Sequence, residues 1–179
     1  TRTDYGKADP GRTGASVKVN SNQVDVWIPG IGIEYEFTQH VQAFAGIHRG
    51  FAPPGSSEGT DPEKSINYEV GSRINQNQFS AQGVIYFNDY SNLLGSDLAA
   101  SGGTGTGDQF NAGAAAVYGI EAETGYVLVP GGMPSFTVPV SLAYTYTYGE
   151  FNSSFAASNE DWGTVQNGDQ FPYLSNHQL

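Results

Sequence analysis

The sequence predicts an all-β protein, an antiparallel transmembrane β-barrel segment of about six long strands with short periplasmic turns and long extracellular loops. Three observations predict it: apolar and polar residues alternate over unusually long stretches, ionised residues stand in the middle of those stretches, and the connections alternate between short and long. Composition agrees. Glycine is the commonest residue at 24 of 179, aromatics reach 13%, and only 14% of residues are charged, against roughly 25% in soluble domains. No run of about 18 apolar residues exists, so no membrane helix can be drawn; barrels escape that test because their strands alternate.

Taken in order, the chain from Tyr5 to Val26 reads as a long loop rich in Gly, Ser and Asn. The first strand is Ile31 to Phe37, in which Ile31, Ile33, Tyr35 and Phe37 oppose Gly32, Glu34 and Glu36. Thr38 to His40 is a short turn, and Val41 to Arg49 is a second strand with Phe44 on the wrong face. A long link from Phe51 to Glu63 follows. The third strand sets Ile66, Tyr68, Val70 and Ile74 against Asn67, Glu69, Gly71 and Arg73. Asn75 to Gln78 turns the chain into a fourth, Phe79 to Asn88, whose alternation is less clean. Ser91 to Gly113 is the next long loop, and its glycine-rich tip, Ser101 to Gly107, opens no helix that would make it a phosphate cradle. In the fifth strand Tyr118, Ile120, Ala122, Tyr126 and Leu128 face away from Gly119, Glu121, Glu123 and Gly125. After a short link, Val129 to Ser135, the sixth alternates strictly from Phe136 to Tyr148. A last long loop spans Phe151 to Tyr173.

Alternation suits a soluble sandwich as well as a barrel, but length and charge separate them. Strands of about 9 to 14 residues exceed the usual 5 or 6 and reach across a tilted hydrocarbon layer. A secreted β-sandwich that binds glycans would have to bury Glu34, Glu36, Glu69, Arg73, Glu121 and Glu123, whereas a wet lumen accepts them. Phe51, Phe87, Tyr90, Tyr118, Tyr126, Tyr146 and Tyr148 fall near strand ends, where an aromatic girdle is expected.

Charge excludes a nucleic-acid partner. The net charge is −11, and every Lys and Arg lies at or before Arg73, so there is no basic patch for phosphates along most of the chain. Cysteine is absent, which rules out disulfides and thiolate metal sites. His40, His48 and His177 lack metal-ligand spacing, and no G-x-S-x-G elbow accompanies the serines, so neither metal, cofactor nor enzyme activity is expected. Thr1 opens no signal peptide, which suggests a start after processing or in mid-protein.

Four stretches, "GIHRGFAPP" (Gly46 to Pro54), "PEKSINYEVGSR" (Pro62 to Arg73), "FNDYSNLLG" (Phe87 to Gly95) and "GIEAETGY" (Gly119 to Tyr126), resemble in order and spacing the barrel of TonB-dependent receptors. The tracts from Ser96 to Asn111 and from Asp169 to Leu179 look most like the ferric-citrate branch of that family, and the likeness runs from about Trp27 to Leu179. The resemblance implies a bacterial outer-membrane barrel of about 22 strands around a plug. On that reading residues 1–179 are a middle-to-late part of one barrel domain, with the plug and remaining strands outside it. It further implies uptake of a ferric chelate, coupling to TonB through the plug, and contact with outer-membrane lipid and lipopolysaccharide. His48, Arg49 and Lys64 near the outer rim are then the candidate ligand residues. Arg49 leads because a guanidinium matches carboxylate geometry, unless it serves as partner to Glu69 or another lumen carboxylate. Glu69, Arg73, Glu121 and Glu123 are expected to face the lumen or plug. Asp97 and Asp108 are candidates for divalent-cation bridges to lipopolysaccharide. The alternatives are a passive porin, or a receptor for cobalamin or a sugar.

Overall fold

The computed structural model describes residues 2–6, 19–23, 26–53, 61–96, 109–131, 136–156 and 163–179. Among them the strands are β1 (Arg2–Gly6), β2 (Val19–Gln23), β3 (Gly30–Thr38), β4 (Val41–Ala52), β5 (Glu63–Gln76), β6 (Phe79–Ser91), β7 (Leu94–Ser96), β8 (Gln109–Asn111), β9 (Ala115–Leu128), β10 (Val138–Phe151), β11 (Phe155–Ala156), β12 (Thr164–Val165) and β13 (His177–Gln178). One open antiparallel sheet holds the order β13-β10-β9-β6-β5-β4-β3. Its six long members are the six strands expected from the alternation, extended by a few residues toward the loops. Phe136, expected inside the sixth strand, lies just before it. Three expected loops are not wholly irregular: β1 pairs with β2, β7 with β8, and β11 with β12.

The turns follow from their residues. Between β3 and β4, the Thr38 hydroxyl accepts hydrogen bonds from the amides of His40 and Val41, both at 3.1 Å, which closes a hydroxyl-capped turn. Between β5 and β6 only Asn77 and Gln78 intervene, and Asn77 takes φ 53°. Two-residue hairpins need positive φ, which asparagine tolerates better than other side chains.

Register assigns each side chain to a face, because paired residues in an antiparallel sheet share one. Ile47, Tyr68, Phe87, Tyr118 and Tyr148 form one cross-strand row; Ala45, Val70, Ile85, Ile120 and Tyr146 form the next. This apolar face is uncovered: Ile31 is 75% exposed, and Val70 and Leu142 53% each. On the other face Glu34, Glu36, Glu69, Glu121 and Glu123 are exposed as well. No second layer packs on either side of the sheet body among the described residues. A bare apolar face of this extent fits hydrocarbon, not water.

The hairpin turns carry the tilt. β3 and β4 finish pairing at Thr38 and Val41, and Val41 lies opposite Ile74. β5 and β6 continue to Gln76 and Phe79; β9 and β10 pass Tyr126, the partner of Phe79, and reach Leu128 and Val138. Each hairpin therefore ends two residues beyond the last, one per strand. With about 3.4 Å per residue and 4.8 Å per strand, the strands tilt by about 35°, the value a membrane barrel needs to close. Aromatic residues occur at both ends of the tilted band, with Phe37, Phe79 and Tyr126 below and Trp27, Tyr68, Phe87, Tyr118 and Tyr148 above. Phe79 to Phe87 and Tyr118 to Tyr126 both span eight residues, which at this tilt is about 22 Å, close to the apolar band of an outer-membrane barrel. Across the upper ring, Tyr68, Phe87, Tyr118 and Tyr148 follow one another at centroid distances of 6.1, 6.3 and 5.2 Å.

Buried apolar residues gather at the loop end. Ala112, Ala115, Phe151 and Val165 pack with Tyr90, Leu93, Phe155 and Phe171. Tyr90, Ala115 and Phe151 pair across the sheet with Ser65 on the polar face, so Tyr90 is a core residue of this cap and not, as its sequence position suggests, part of the girdle. Beyond β10 the chain folds back along it: Gly168 donates to the Phe151 carbonyl at 2.8 Å, Phe171 to Gly149 at 3.0 Å, and Asn176 accepts from Thr147 at 3.0 Å.

Candidate functional site

The polar face is the candidate site, and β-strand parity builds it. In rows from the turn end upward it carries Glu36, Gln42, Arg73, Gln82 and Glu123; then Glu34, Phe44, Gly71 and Glu121; then Gly46, Glu69, Tyr86, Gly119 and Thr147. His48 and Asn67 stand above them, near the cap. Glu69, Arg73, Glu121 and Glu123 thus share one wall. Arg73 is not paired with a glutamate among the described residues. Its Nε donates to Gln82 Oε1 at 2.8 Å, and its guanidinium lies 5.7 Å from the centre of the Phe44 ring.

That contact explains the misplaced aromatic. Phe44 does occupy the polar face, and the missing side chain of Gly71 gives its ring a seat: a Cβ on Gly71 would fall 2.5 Å from Phe44 Cζ and 2.7 Å from the Gly83 carbonyl oxygen. Arg73, one row nearer the turn end, lies over the ring, where cation and π-face attract. Tyr86 repeats the device across Gly119, where a Cβ would meet its hydroxyl at 2.7 Å, and the same hydroxyl hydrogen-bonds Thr147 Oγ1 at 2.8 Å. Large side chains lying over glycines on the neighbouring strand make the wall thin and smooth, and they fix register where alternation alone is weak. Gly71→Ala in the full-length barrel is expected to cost about 1–3 kcal/mol by overpacking. Adding Phe44→Ala should recover part of that loss in a denaturant titration, since one of the two clashes then disappears.

The register divides the three candidate ligand residues. His48 pairs with Gly30 and Asn67 on the glutamate face. Arg49 pairs with Ile66, and Lys64 with Phe51, so both belong to the face of Ile47 and Tyr68. Arg49 therefore does not look toward Glu69, which sits opposite Gly46 on the other side. Asp97, Asp108 and the tip from Ser101 to Gly107 lie outside the described residues. No group of three or more His, Asp or Glu suited to a metal occurs among the described residues.

Sequence reasoning missed the cap, in which Asn111 ties two loops together. Its Nδ2 donates to the carbonyls of Asp61 and Asn92 at 3.0 and 3.2 Å, and its Oδ1 accepts from the Asp61 amide at 2.8 Å. Glu63 Oε2 accepts from the Leu94 amide at 2.9 Å. The available signal was the recurrence of Phe151, Phe155, Val165 and Phe171 in a stretch otherwise rich in Gly, Ser and Asn.

A family described as "TonB dependent receptor-like, beta-barrel" matches residues 1–179, including the first loop, where the motif likeness is thinnest. No curated protein matches the sequence. Two solved structures of the FrpB iron transporter from Neisseria meningitidis are similar in fold. The apoprotein of its F5-1 variant superposes with a TM-score of 0.51 at 19% identity, over 76% of this chain and 21% of that one. The F3-3 variant gives 0.51 and 20% over the same shares. This chain spans about a fifth of the length of those transporters, and at such identity the likeness is one of fold. One bare apolar face, one hydrated charged face, a tilt that closes a barrel and a full-length family match agree: the chain belongs to the TonB-dependent receptors of the bacterial outer membrane and forms part of their β-barrel.

Proposed function

We propose that the intact protein is a TonB-energised receptor that takes up a ferric chelate, either ferric citrate or a ferric siderophore, and that residues 1–179 are one portion of its single barrel domain. The reading is supported above all by the two-faced sheet, hydrocarbon on one side and a carboxylate-lined lumen on the other. The iron-transporter neighbours support the choice of cargo. The protein works by binding and passage, not by catalysis. Its plug, outside this chain, would pass over the wall of Glu69, Arg73, Glu121 and Glu123 and carry the contact with TonB.

An anionic chelate is repelled by that wall, so its contacts with this chain belong at the loop end. His48, which shares the lumen face there, is our ligand candidate, ahead of Arg49 and Lys64. In cells whose only iron receptor is the full-length protein, uptake of radiolabelled ferric citrate or a ferric siderophore should vanish when the coupling protein is deleted. Uptake that persists without coupling means a passive porin; uptake of cobalamin or a sugar alone means another cargo. His48→Ala should raise the half-saturating chelate concentration roughly five- to ten-fold, the worth of one polar contact.

A further inference from the structure

Asn167–Gly168 is the only Asn-Gly step in the chain, and both residues are exposed on the segment that folds back along β10. An asparagine before glycine is a labile amide, because glycine has no side chain to keep its own nitrogen from closing on the asparagine carboxamide. Here the fold holds the two groups apart. The Gly168 amide donates to the Phe151 carbonyl at 2.8 Å, Asn167 Nδ2 donates to the Asn152 carbonyl at 3.3 Å, and the Asn167 amide donates to Ser154 Oγ at 3.0 Å. The turn from Gln166 to Asp169 is closed by the Asp169 amide on the Gln166 carbonyl at 3.1 Å, and of its two central residues only Gly168 has positive φ, 93°. That is the type II pattern, in which the first central residue has ψ of about +120°. Ring closure needs the glycine nitrogen nearly eclipsed with the asparagine Cβ, and this ψ carries it far from there. Both the hydrogen bond on the nucleophile and the shape of the turn therefore last only as long as the cap stays on β10.

We propose that Asn167 is a self-converting modification site that the cap guards, an amide that becomes aspartate or isoaspartate when the segment lifts from β10. The Gly168 nitrogen gives up its proton to solvent and attacks the Asn167 carboxamide carbon. A C–N bond forms, the side-chain nitrogen leaves as ammonia, and a succinimide remains. Water then opens the ring at either carbonyl, giving aspartate, or isoaspartate in which the backbone runs through the side chain. Water is the only co-reactant. Either product puts a carboxylate where the carboxamide donated to the Asn152 carbonyl, in a turn that already holds the Asp169 carboxylate on the Gln166 amide at 2.8 Å. Like charges in one turn repel, and isoaspartate adds a methylene to the backbone that displaces Gly168 from Phe151. The converted segment stays open, so each opening of the cap carries a chance of becoming permanent. The site is independent of cargo, since no group in it depends on what the lumen carries.

The test uses the full-length receptor folded in lipid vesicles and held at mildly alkaline pH in heavy-oxygen water. Digestion and mass spectrometry then count labelled aspartate and isoaspartate at each asparagine. Urea-unfolded receptor should convert at Asn167 faster than at Asn152 or Asn176, each of which precedes a residue with a side chain. Folded wild type should convert at Asn167 at least about ten-fold more slowly than the unfolded chain. Folded Phe151→Ala should recover most of that difference, and Asn167→Gln, whose ring would need a further atom, should block conversion. Asn167→Asp, which stands in for one product, should be cut by external protease between residues 152 and 176 roughly five-fold faster than wild type, the worth of one lost hydrogen bond. Should Phe151→Ala fail to fold or leave cleavage unchanged, Phe171→Pro removes the amide that donates to Gly149 at 3.0 Å and opens the segment by another route. Conversion as fast in folded wild type as in the unfolded chain, product without the label, or Asn152 or Asn176 outrunning Asn167 in urea would each overturn the proposal. So would a variant whose cap is cut faster while Asn167 converts no faster, or Asn167→Asp cut at the wild-type rate.

Discussion

Leu142→Arg is expected to cost the full-length barrel about 2–4 kcal/mol, whereas Ala143→Arg, one residue further along the same strand, should cost less than about 1 kcal/mol. The two positions share backbone, strand and depth, and differ only in face. Leu142 is 53% exposed on the apolar side, four residues above the turn end at Val138 and six below Tyr148. An arginine there meets hydrocarbon near the centre of the band. Ala143 pairs with Glu123 on the polar wall, where an arginine finds water and an opposite charge. Folding the receptor into lipid vesicles across a urea series, with gel mobility as readout, measures both. If the two substitutions cost the same, the faces are not in different solvents and the membrane reading fails. If Ala143→Arg is the worse, the faces are reversed.

How far this arrangement could be seen in the sequence depends on where parity holds. Along Phe136 to Tyr148 and Tyr118 to Leu128, strict alternation gives the face of every residue, because a strand turns its side chains through half a circle at each step. Phe44 breaks the pattern, and its sense comes only from a residue 27 positions later: Gly71 is its cross-strand partner, and only the pairing shows that one residue's bulk fills the other's absence. His48 and Arg49 illustrate the same limit. Parity separates them at once, yet both look like rim residues until the stagger of the turns fixes the height of the lipid boundary. Tyr90 departs from its expected place in the girdle for a related reason. It lies near Phe87 at the upper end of β6 but keeps the parity of Asn88, and parity, not aromatic character, decides its neighbours.

The polar wall has an electrostatic bias of its own. Five glutamates, Glu34, Glu36, Glu69, Glu121 and Glu123, are exposed on the lumen face. Arg73, held by Gln82 and the Phe44 ring, stands among them, and the glutamates outnumber it, so the formal charge of this portion of the lumen is negative. A negative wall repels a free anion.

The cap offers the second large effect. Phe151 is 4% exposed, with the rings of Phe171 and Phe155 at 4.6 and 5.4 Å. Phe→Ala at a buried position costs about 3–5 kcal/mol, but here the loss should fall on the cap alone. Phe151 is the last residue of β10, and the strand bodies below it are held by their ladders and by the membrane. A local loss of about 3 kcal/mol multiplies the open population on the order of a hundred-fold. Protease added to intact cells should therefore cut Phe151→Ala receptor between residues 152 and 176 far faster than wild type, while unboiled gel mobility stays that of a folded barrel. Tyr173→Ala, a ring 82% exposed in the same segment, should leave the cleavage rate near wild type. Loss of folded mobility in Phe151→Ala would mean that the cap nucleates the barrel; unchanged cleavage would mean that the backbone bonds from Gly168, Phe171 and Asn176 to β10 hold the cap without its aromatic core.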